Sequence, residues 1–295
     1  MTNTSNRIIF FGTETFSLTA LTGLIEAGYN IVAVVTKPDS KQGRGHQLVS
    51  PPVKILAEKH NIPVWQPAKL KGITEDIKTL QPVTGVLVSY GKIIPQSTID
   101  LFTPGIINVH PSLLPKYRGP SPIESAILNG DDKTGVTIMQ LSAEMDAGPL
   151  YVAKEYPLSG NETQPELYQA LATVGTNLLL EVLPRILAGE LQPTPQDDSQ
   201  ASYCQLLAKA DGQLNPQETT ATEAERRVRA YLRFPRTRLT ILGQDIIVTK
   251  AHTSPNQKAP LNVAFSDGYY LSIESLTAPS GKTMSAEAFL KGYKK

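Results

Sequence analysis

Asn108 and His110 stand two residues apart in Ile106-Ile107-Asn108-Val109-His110-Pro111, and their types suit a reaction that passes through an oxyanion. Side chains alternate along a strand, so both would leave the same face of a strand over residues 105–110. A carboxamide N–H can donate to a developing negative oxygen, and an imidazole exchanges protons near neutral pH. Pro111 and Pro115 stiffen the loop that follows. Further on, Ser142-Ala143-Glu144-Met145-Asp146-Ala147-Gly148-Pro149 reads as the exit loop of a neighbouring strand over residues 134–141. A tight turn there would bring the Asp146 carboxylate beside the imidazole and fix its orientation. Each piece alone also has a plainer reading. The Asn-x-His triplet fits a polar strand end with a hydrogen-bonded histidine, and Asp146 fits an Asx turn bonded to its own backbone.

Other chemistries find less support. Cys204 is the only cysteine and the four histidines are dispersed, so no zinc site and no metal are expected. The first strand is followed by Gly12-Thr13-Glu14-Thr15 rather than Gly-x-Gly-x-x-Gly, which leaves a dinucleotide cofactor without support.

The run N-V-H-P-S-L-L-P-K-Y-R-G-P-S-P-I, beginning at Asn108, resembles a signature of the folate-dependent formyltransferases. So does G-V-T-I-M-Q-L-S-A-E-M-D-A-G-P-L-Y, beginning at Gly135. In that family the matching Asn, His and Asp form the catalytic triad, which implies catalytic roles for Asn108, His110 and Asp146. Val88-Ser89-Tyr90-Gly91-Lys92-Ile93-Ile94-Pro95 is similar to a segment whose backbone receives the pterin-like ring of the folate. The resemblance therefore implies 10-formyltetrahydrofolate as co-substrate. It would be held by Ser89, Tyr90, Gly91 and Lys92, with Ser112, Leu113, Leu114 and Pro115 from the loop after His110. It further implies an amine attacking the formyl carbon, an oxyanion held by Asn108 and His110, and no metal.

The triad does not name the acceptor. Thr36-Lys37-Pro38-Asp39-Ser40-Lys41-Gln42-Gly43-Arg44-Gly45-His46-Gln47-Leu48 resembles the loop with which the methionyl-tRNA formyltransferases enter the acceptor stem. That implies tRNA contacts at Lys41 and Arg44, and methionyl-initiator tRNA as partner. The family often continues with lysines where His46 and Gln47 stand here, so the loop carries less positive charge. Near the end, Ser280-Gly281-Lys282-Thr283-Met284-Ser285-Ala286 is similar to the closing motif of the family's tRNA-contacting β-barrel. Arg226, Arg229 and Arg233 are the tail's candidates for phosphate contacts. They belong to a cluster with Arg227, Arg236 and Arg238, and a solvated helix with salt bridges to Glu223 and Glu225 is the plainer reading for half of the six. Leu232-Arg233-Phe234-Pro235-Arg236-Thr237-Arg238 departs from the family's Asn-Pro-Trp-Pro-Gly pattern. A formyl-folate hydrolase, a sugar-nucleotide formyltransferase and a non-catalytic tRNA-binding protein remain as rival readings.

The elements that must position these residues are legible in the periodicity. Short apolar runs at 7–11, 31–35, 83–89, 105–110 and 134–141 alternate with helical patterns, one begun by Pro51-Pro52 and a long one over 165–187 that Pro184 should kink or end. This predicts an α/β fold: a Rossmann-like, mostly parallel sheet. After a stretch rich in Pro, Gln, Asp and Ser, the period becomes two, and Ser266-Asp267-Gly268 marks a hairpin. A small C-terminal β-barrel, OB-like, is expected there. The division is 1–189 for catalysis and folate binding, 190–207 as linker, and 208–295 for tRNA. Residues 1–207 hold 15 Lys and Arg against 19 Asp and Glu, while residues 208–295 hold 13 against 8, so the basic excess sits in the tail. That polarity suits a polyanionic partner. No unbroken apolar run reaches the roughly 20 residues of a membrane helix. A cytoplasmic monomer without a membrane partner is the expectation.

Overall fold

Residues 6–42 and 47–293 are described by a computed structural model. In chain order its elements are β1 (Arg7–Gly12), α1 (Thr15–Glu26), β2 (Asn30–Val35), β3 (Ser40–Gln42), β4 (Gln47–Val49), α2 (Pro52–Lys59), β5 (Val64–Trp65), α3 (Thr74–Thr79), β6 (Val83–Val88), α4 (Gln96–Ile99) and β7 (Ile106–His110). There follow α5 (Pro122–Asn129), β8 (Lys133–Gln140), β9 (Leu150–Pro157), α6 (Gln164–Leu187), α7 (Ala221–Ala230), β10 (Arg238–Ile241), β11 (Gln244–Ser254), β12 (Asn262–Ala264), β13 (Tyr270–Thr277), β14 (Thr283–Ser285) and α8 (Ala286–Tyr293). Internal contacts divide them into two units that interleave along the chain. The first takes Met1–Pro120, Thr134–Tyr156 and Tyr168–Tyr203; the second takes Ser121–Lys133, Pro157–Leu167 and Cys204–Lys295.

The first unit is built on a seven-stranded sheet in the order β5-β2-β1-β6-β7-β8-β9. From β5 to β7 neighbouring strands are parallel. Ile8, Ile9, Phe10 and Phe11 are all fully buried, as a strand covered on both faces requires. On one face, α6 lies close against the sheet: a Cβ at Gly175 would come within 2.8 Å of Val109 Cγ1. Val109 thus faces α6, and alternation turns its neighbours Asn108 and His110 to the other face. That other face carries the cluster of Ile9, Phe11, Val35, Tyr90, Phe102 and Ile106. Within it, the Phe11 ring meets Tyr90 and Phe102 edge-on, at 5.6 and 5.7 Å between centroids.

The structure adds detail to three sequence expectations. Pro184 neither ends nor breaks α6, which continues to Leu187. Its missing N–H leaves one carbonyl, that of Leu180, without a helical partner, while its own carbonyl still accepts the Ala188 N–H at 3.0 Å. Within residues 190–207, expected as a linker, Thr194 and Leu150 exchange backbone hydrogen bonds of 2.8 Å in both directions, which ties the stretch to the start of β9. And β8 runs antiparallel to β7, which changes the route to Asp146. Among the described helices, α6 is the one long and apolar enough to cross a membrane. Half of its most apolar window is nevertheless buried, with Leu171, Leu179 and Leu183 in the core.

The second unit contains an antiparallel five-stranded sheet curled into a half-barrel. Its central strand is β13. One edge pairs with β11, and the other is shared by β12 over residues 270–272 and β14 over residues 275–277. Leu271, Ile273 and Leu276 are buried beneath α7, whose Ala221, Ala224 and Val228 form an apolar stripe at helical spacing. A capping box starts α7: Thr220 Oγ1 accepts the Glu223 N–H, and Glu223 Oε2 accepts the Thr220 N–H at 2.8 Å.

Candidate active site

Asn108 and His110 are each 5% exposed at the carboxyl end of β7. The loop after them is braced by its own Ser112 and by Thr137 of β8. Ser112 Oγ donates to Lys116 O at 2.6 Å, Thr137 Oγ1 donates to Ser112 O at 2.7 Å, and the Leu114 N–H donates to Thr137 Oγ1 at 3.1 Å. Braced in this way, the loop returns to the strand end and places Tyr117 O 3.0 Å from His110 Nε2. A carbonyl can only accept, so Nε2 is the donor in that contact.

Asp146 approaches the other nitrogen. Its Oδ2 lies 3.7 Å from His110 Nδ1 and accepts the Gly119 N–H at 2.8 Å. The sequence suggested a carboxylate where two adjacent strands end together. The antiparallel β8 instead sets Thr137 opposite His110 and Gln140 opposite Ile107, so its exit loop begins at the far end of β7. Two backbone features fold that loop back over the sheet. Asp146 adopts φ +49°, a left-handed conformation that Asp tolerates better than most residues. Gly148 packs so closely on Gln140 that any side chain would strike the Gln140 carbonyl. His110 and Asp146 are thus brought together, and Asn108 shares their strand face. Among the described residues, the Asn108 carboxamide takes part in no hydrogen bond.

The expected folate segment lies at the switch point of the sheet, where β1 has β2 on one side and β6 on the other. Ser89 (φ +46°) and Gly91 (φ +69°) turn the chain after β6. Thr13 ties the two strand ends together, its N–H donating to Ser89 O at 3.2 Å and its Oγ1 to Tyr90 O at 2.9 Å. The Tyr90 ring is core, 1% exposed, and burial pushes its phenol up to about 12. Only the backbone of Tyr90 is thereby left to meet a ligand. Lys92 Nζ donates to Pro67 O at 3.2 Å. Of residues 112–115, Ser112 and Leu114 turn inward and Leu113 and Pro115 are half-buried.

The residues expected at a tRNA surface separate. Lys41 is exposed in the β3–β4 hairpin, and Arg44 lies outside the described residues. Arg226 Nη1 donates to Asn129 O at 3.2 Å, at the end of α5 where Gly130 takes φ +65°. Arg229 grips the Glu225 carboxylate with Nε and Nη2 at 2.6 and 2.9 Å, and its Nη1 donates to Glu162 O at 3.0 Å. Arg229 thus spends all three guanidinium nitrogens inside the second unit, and Arg226 only Nη1. Arg233 is exposed. The four-residue spacing of Glu225 and Arg229 was a sequence signal for that pair. No sequence signal marked Tyr117 and Gly119, which act through their backbone. Among the described residues, no group of three or more His, Cys, Asp or Glu could hold a metal ion.

Comparison with known proteins adds independent findings. The formyl transferase family model matches residues 6–183, and the formyl transferase C-terminal domain model matches residues 206–294. A methionyl-tRNA formyltransferase of Sulfurihydrogenibium sp. is 36% identical over 304 residues, covering 98% of this chain and 97% of the relative. One from Halorhodospira halophila is 39% identical over 299 residues, covering 97% and 96%. Among solved structures, HypX from Aquifex aeolicus in complex with tetrahydrofolic acid superposes with a TM-score of 0.68 at 18% identity, covering 98% of this chain and 47% of its own. An N-formyltransferase from Helicobacter canadensis, in complex with folinic acid and dTDP-3-aminofucose, gives 0.67 at 18% identity, covering 91% and 99%. At such identities these likenesses concern the fold.

Proposed function

The chain belongs to the formyl transferase family, and from that premise we propose that it transfers the formyl group of 10-formyltetrahydrofolate to the α-amine of methionyl-initiator tRNA. The full-length identity to enzymes of that name favours tRNA over a sugar nucleotide as acceptor. The observation that carries the site assignment is the meeting of His110 Nδ1 and Asp146 Oδ2 at 3.7 Å on the strand face of Asn108.

The chemistry follows from those groups. The amine nitrogen attacks the formyl carbon and the carbonyl oxygen becomes an oxyanion, to which the Asn108 carboxamide donates. The attacking amine loses a proton, the carbon–nitrogen bond to the folate breaks, and the departing nitrogen gains a proton. His110 Nδ1, the ring nitrogen not taken up by Tyr117 O, carries protons between the two nitrogens together with the Asp146 carboxylate beside it. The folate lies along the backbone of Ser89, Tyr90, Gly91 and Lys92 and of Ser112, Leu113, Leu114 and Pro115. Lys41, Arg44, Arg226 and Arg233 contact tRNA phosphates; the Arg229 guanidinium is held by Glu225 and by Glu162 O. Residues 1–189 catalyse, 190–207 connect, and 208–295 bind tRNA, a division supported by the two family matches on either side of residues 184–205. The protein works in the cytoplasm as a monomer, without a membrane partner.

The test is incubation with formyl-labelled 10-formyltetrahydrofolate and either charged initiator or charged elongator tRNA. Label is expected on the initiator species alone. Label on neither overturns the assignment.

A further inference from the structure

We propose that Gln196 is a positioning residue for formyl transfer, clamping the Asp146 loop to the segment that holds His110. This rests on the reading of His110 and Asp146 as the catalytic pair.

The Gln196 carboxamide spends its whole hydrogen-bonding capacity on this junction. Its Nε2 donates to Asp146 O and to Gly148 O, both at 2.7 Å. Its Oε1 accepts from Arg118 Nε at 3.1 Å and Nη2 at 2.8 Å. Two donors and two acceptor sites are all that a primary amide possesses. The Arg118 guanidinium is itself buried, at 2% residue exposure. Its Nη2 also donates to Asp198 Oδ1 at 2.6 Å, and its Nη1 to Tyr203 OH at 3.2 Å.

The position of Arg118 in the chain gives the clamp its purpose. The residue before it supplies the carbonyl that meets His110 Nε2, and the residue after it supplies the N–H that meets Asp146 Oδ2. Residues 117–119 therefore touch both members of the pair directly. Gln196 fixes the backbone of Asp146 to the side chain in the middle of that tripeptide. Without it, the Asp146 carboxylate would keep the Gly119 contact, but the loop would lose two hydrogen bonds, one at the carbonyl of Asp146, itself at positive φ, and one at that of Gly148. The Oδ2–Nδ1 separation already exceeds hydrogen-bond reach, so a further shift there weakens what orients the imidazole. A misplacement of about 1 Å can cost about a hundredfold in rate.

The experiment compares full-length native protein, Gln196→Met and His110→Ala in steady-state formyl transfer to charged initiator tRNA. Thermal melting accompanies each assay. Gln196→Met keeps length and bulk but offers no amide. The expected result is a folded protein with kcat lowered roughly ten- to a hundredfold, KM for folate and tRNA within about twofold of native, and a shifted pH profile of kcat. A general loosening would raise both KM values and leave that profile in place. If Gln196→Met does not fold, Gln196→Glu reads the same split, because it retains an acceptor for Arg118 while setting oxygens against the two carbonyls. A folded Gln196 variant with native kcat, or one altered only in KM, overturns the proposal while leaving the catalytic reading intact. Native activity in His110→Ala overturns that reading, and the clamp's role with it.

Discussion

The loops around Asp146 and the helix α7 both gather charged side chains, yet they employ them in opposite ways. Around Asp146, two acceptors converge on one imidazole and the neighbouring Asn108 carboxamide is bonded to no described residue. On α7, Arg226 and Arg229 end on backbone carbonyls and on Glu225, and Thr220 and Glu223 satisfy each other. One arrangement keeps a donor in reserve for something that is not protein. The other closes on itself. The number of charges in a stretch is thus a poor guide to its chemistry, and what matters is whether their hydrogen bonds are already used.

The contrast is most exposed to failure at His110. His110→Ala should lower kcat by about a thousandfold, or about 4 kcal/mol in barrier, with the melting temperature little changed. Single-turnover transfer of labelled formyl measures it, and retention of a tenth of native activity would break the comparison. Asp146→Asn comes next, at about a hundredfold in kcat, since an amide oxygen can still accept the Gly119 N–H but offers no charge to the imidazole. On α7 the effects should shift from rate to stability. Arg229→Ala should cost about 1–2 kcal/mol in urea unfolding, with KM for initiator tRNA and its salt dependence unchanged. A flattened salt dependence would instead make α7 a phosphate-binding face.

The smallest effect, about 1 kcal/mol, is expected for Thr220→Ala at the helix start. It should also carry a pH signature. Backbone and then side-chain hydrogen bonds from Thr220 hold the Glu223 carboxyl below its ordinary value of 4.5. A carboxyl lowered by folding adds stability that is fully present above the unfolded value and is lost as pH falls through the folded one. The melting difference between native protein and Glu223→Gln should therefore be visible at pH 7 and fade below pH 4.5. A difference that persists at pH 2 would remove the capping box from the account.

Local features were legible in the sequence, and their joints were not. Unbroken apolar runs marked β1, β2, β6, β7 and β8 within a residue or two, because a strand buried on both faces has no other composition open to it. The alternation rule set Asn108 and His110 on one face. Periodicity carries no strand direction, however, so the antiparallel course of β8 and the fold-back of the Asp146 loop could not be read. Gln196 looked like part of a polar tether, since its partners Asp146 and Arg118 lie 50 and 78 residues away. Arginine spacing showed a basic face on α7 but not the carbonyls of Asn129 and Glu162 that occupy it.

The interleaved second unit has a practical consequence for anyone cutting this gene into parts. A fragment starting at residue 208 would include α7 and the half-barrel but leave behind Asn129 and Glu162, the anchors of its two arginines. Such a piece would begin life with stranded cations and uncovered packing surface, and would be a poor candidate for grafting onto another enzyme unless residues 121–133 and 157–167 travelled with it.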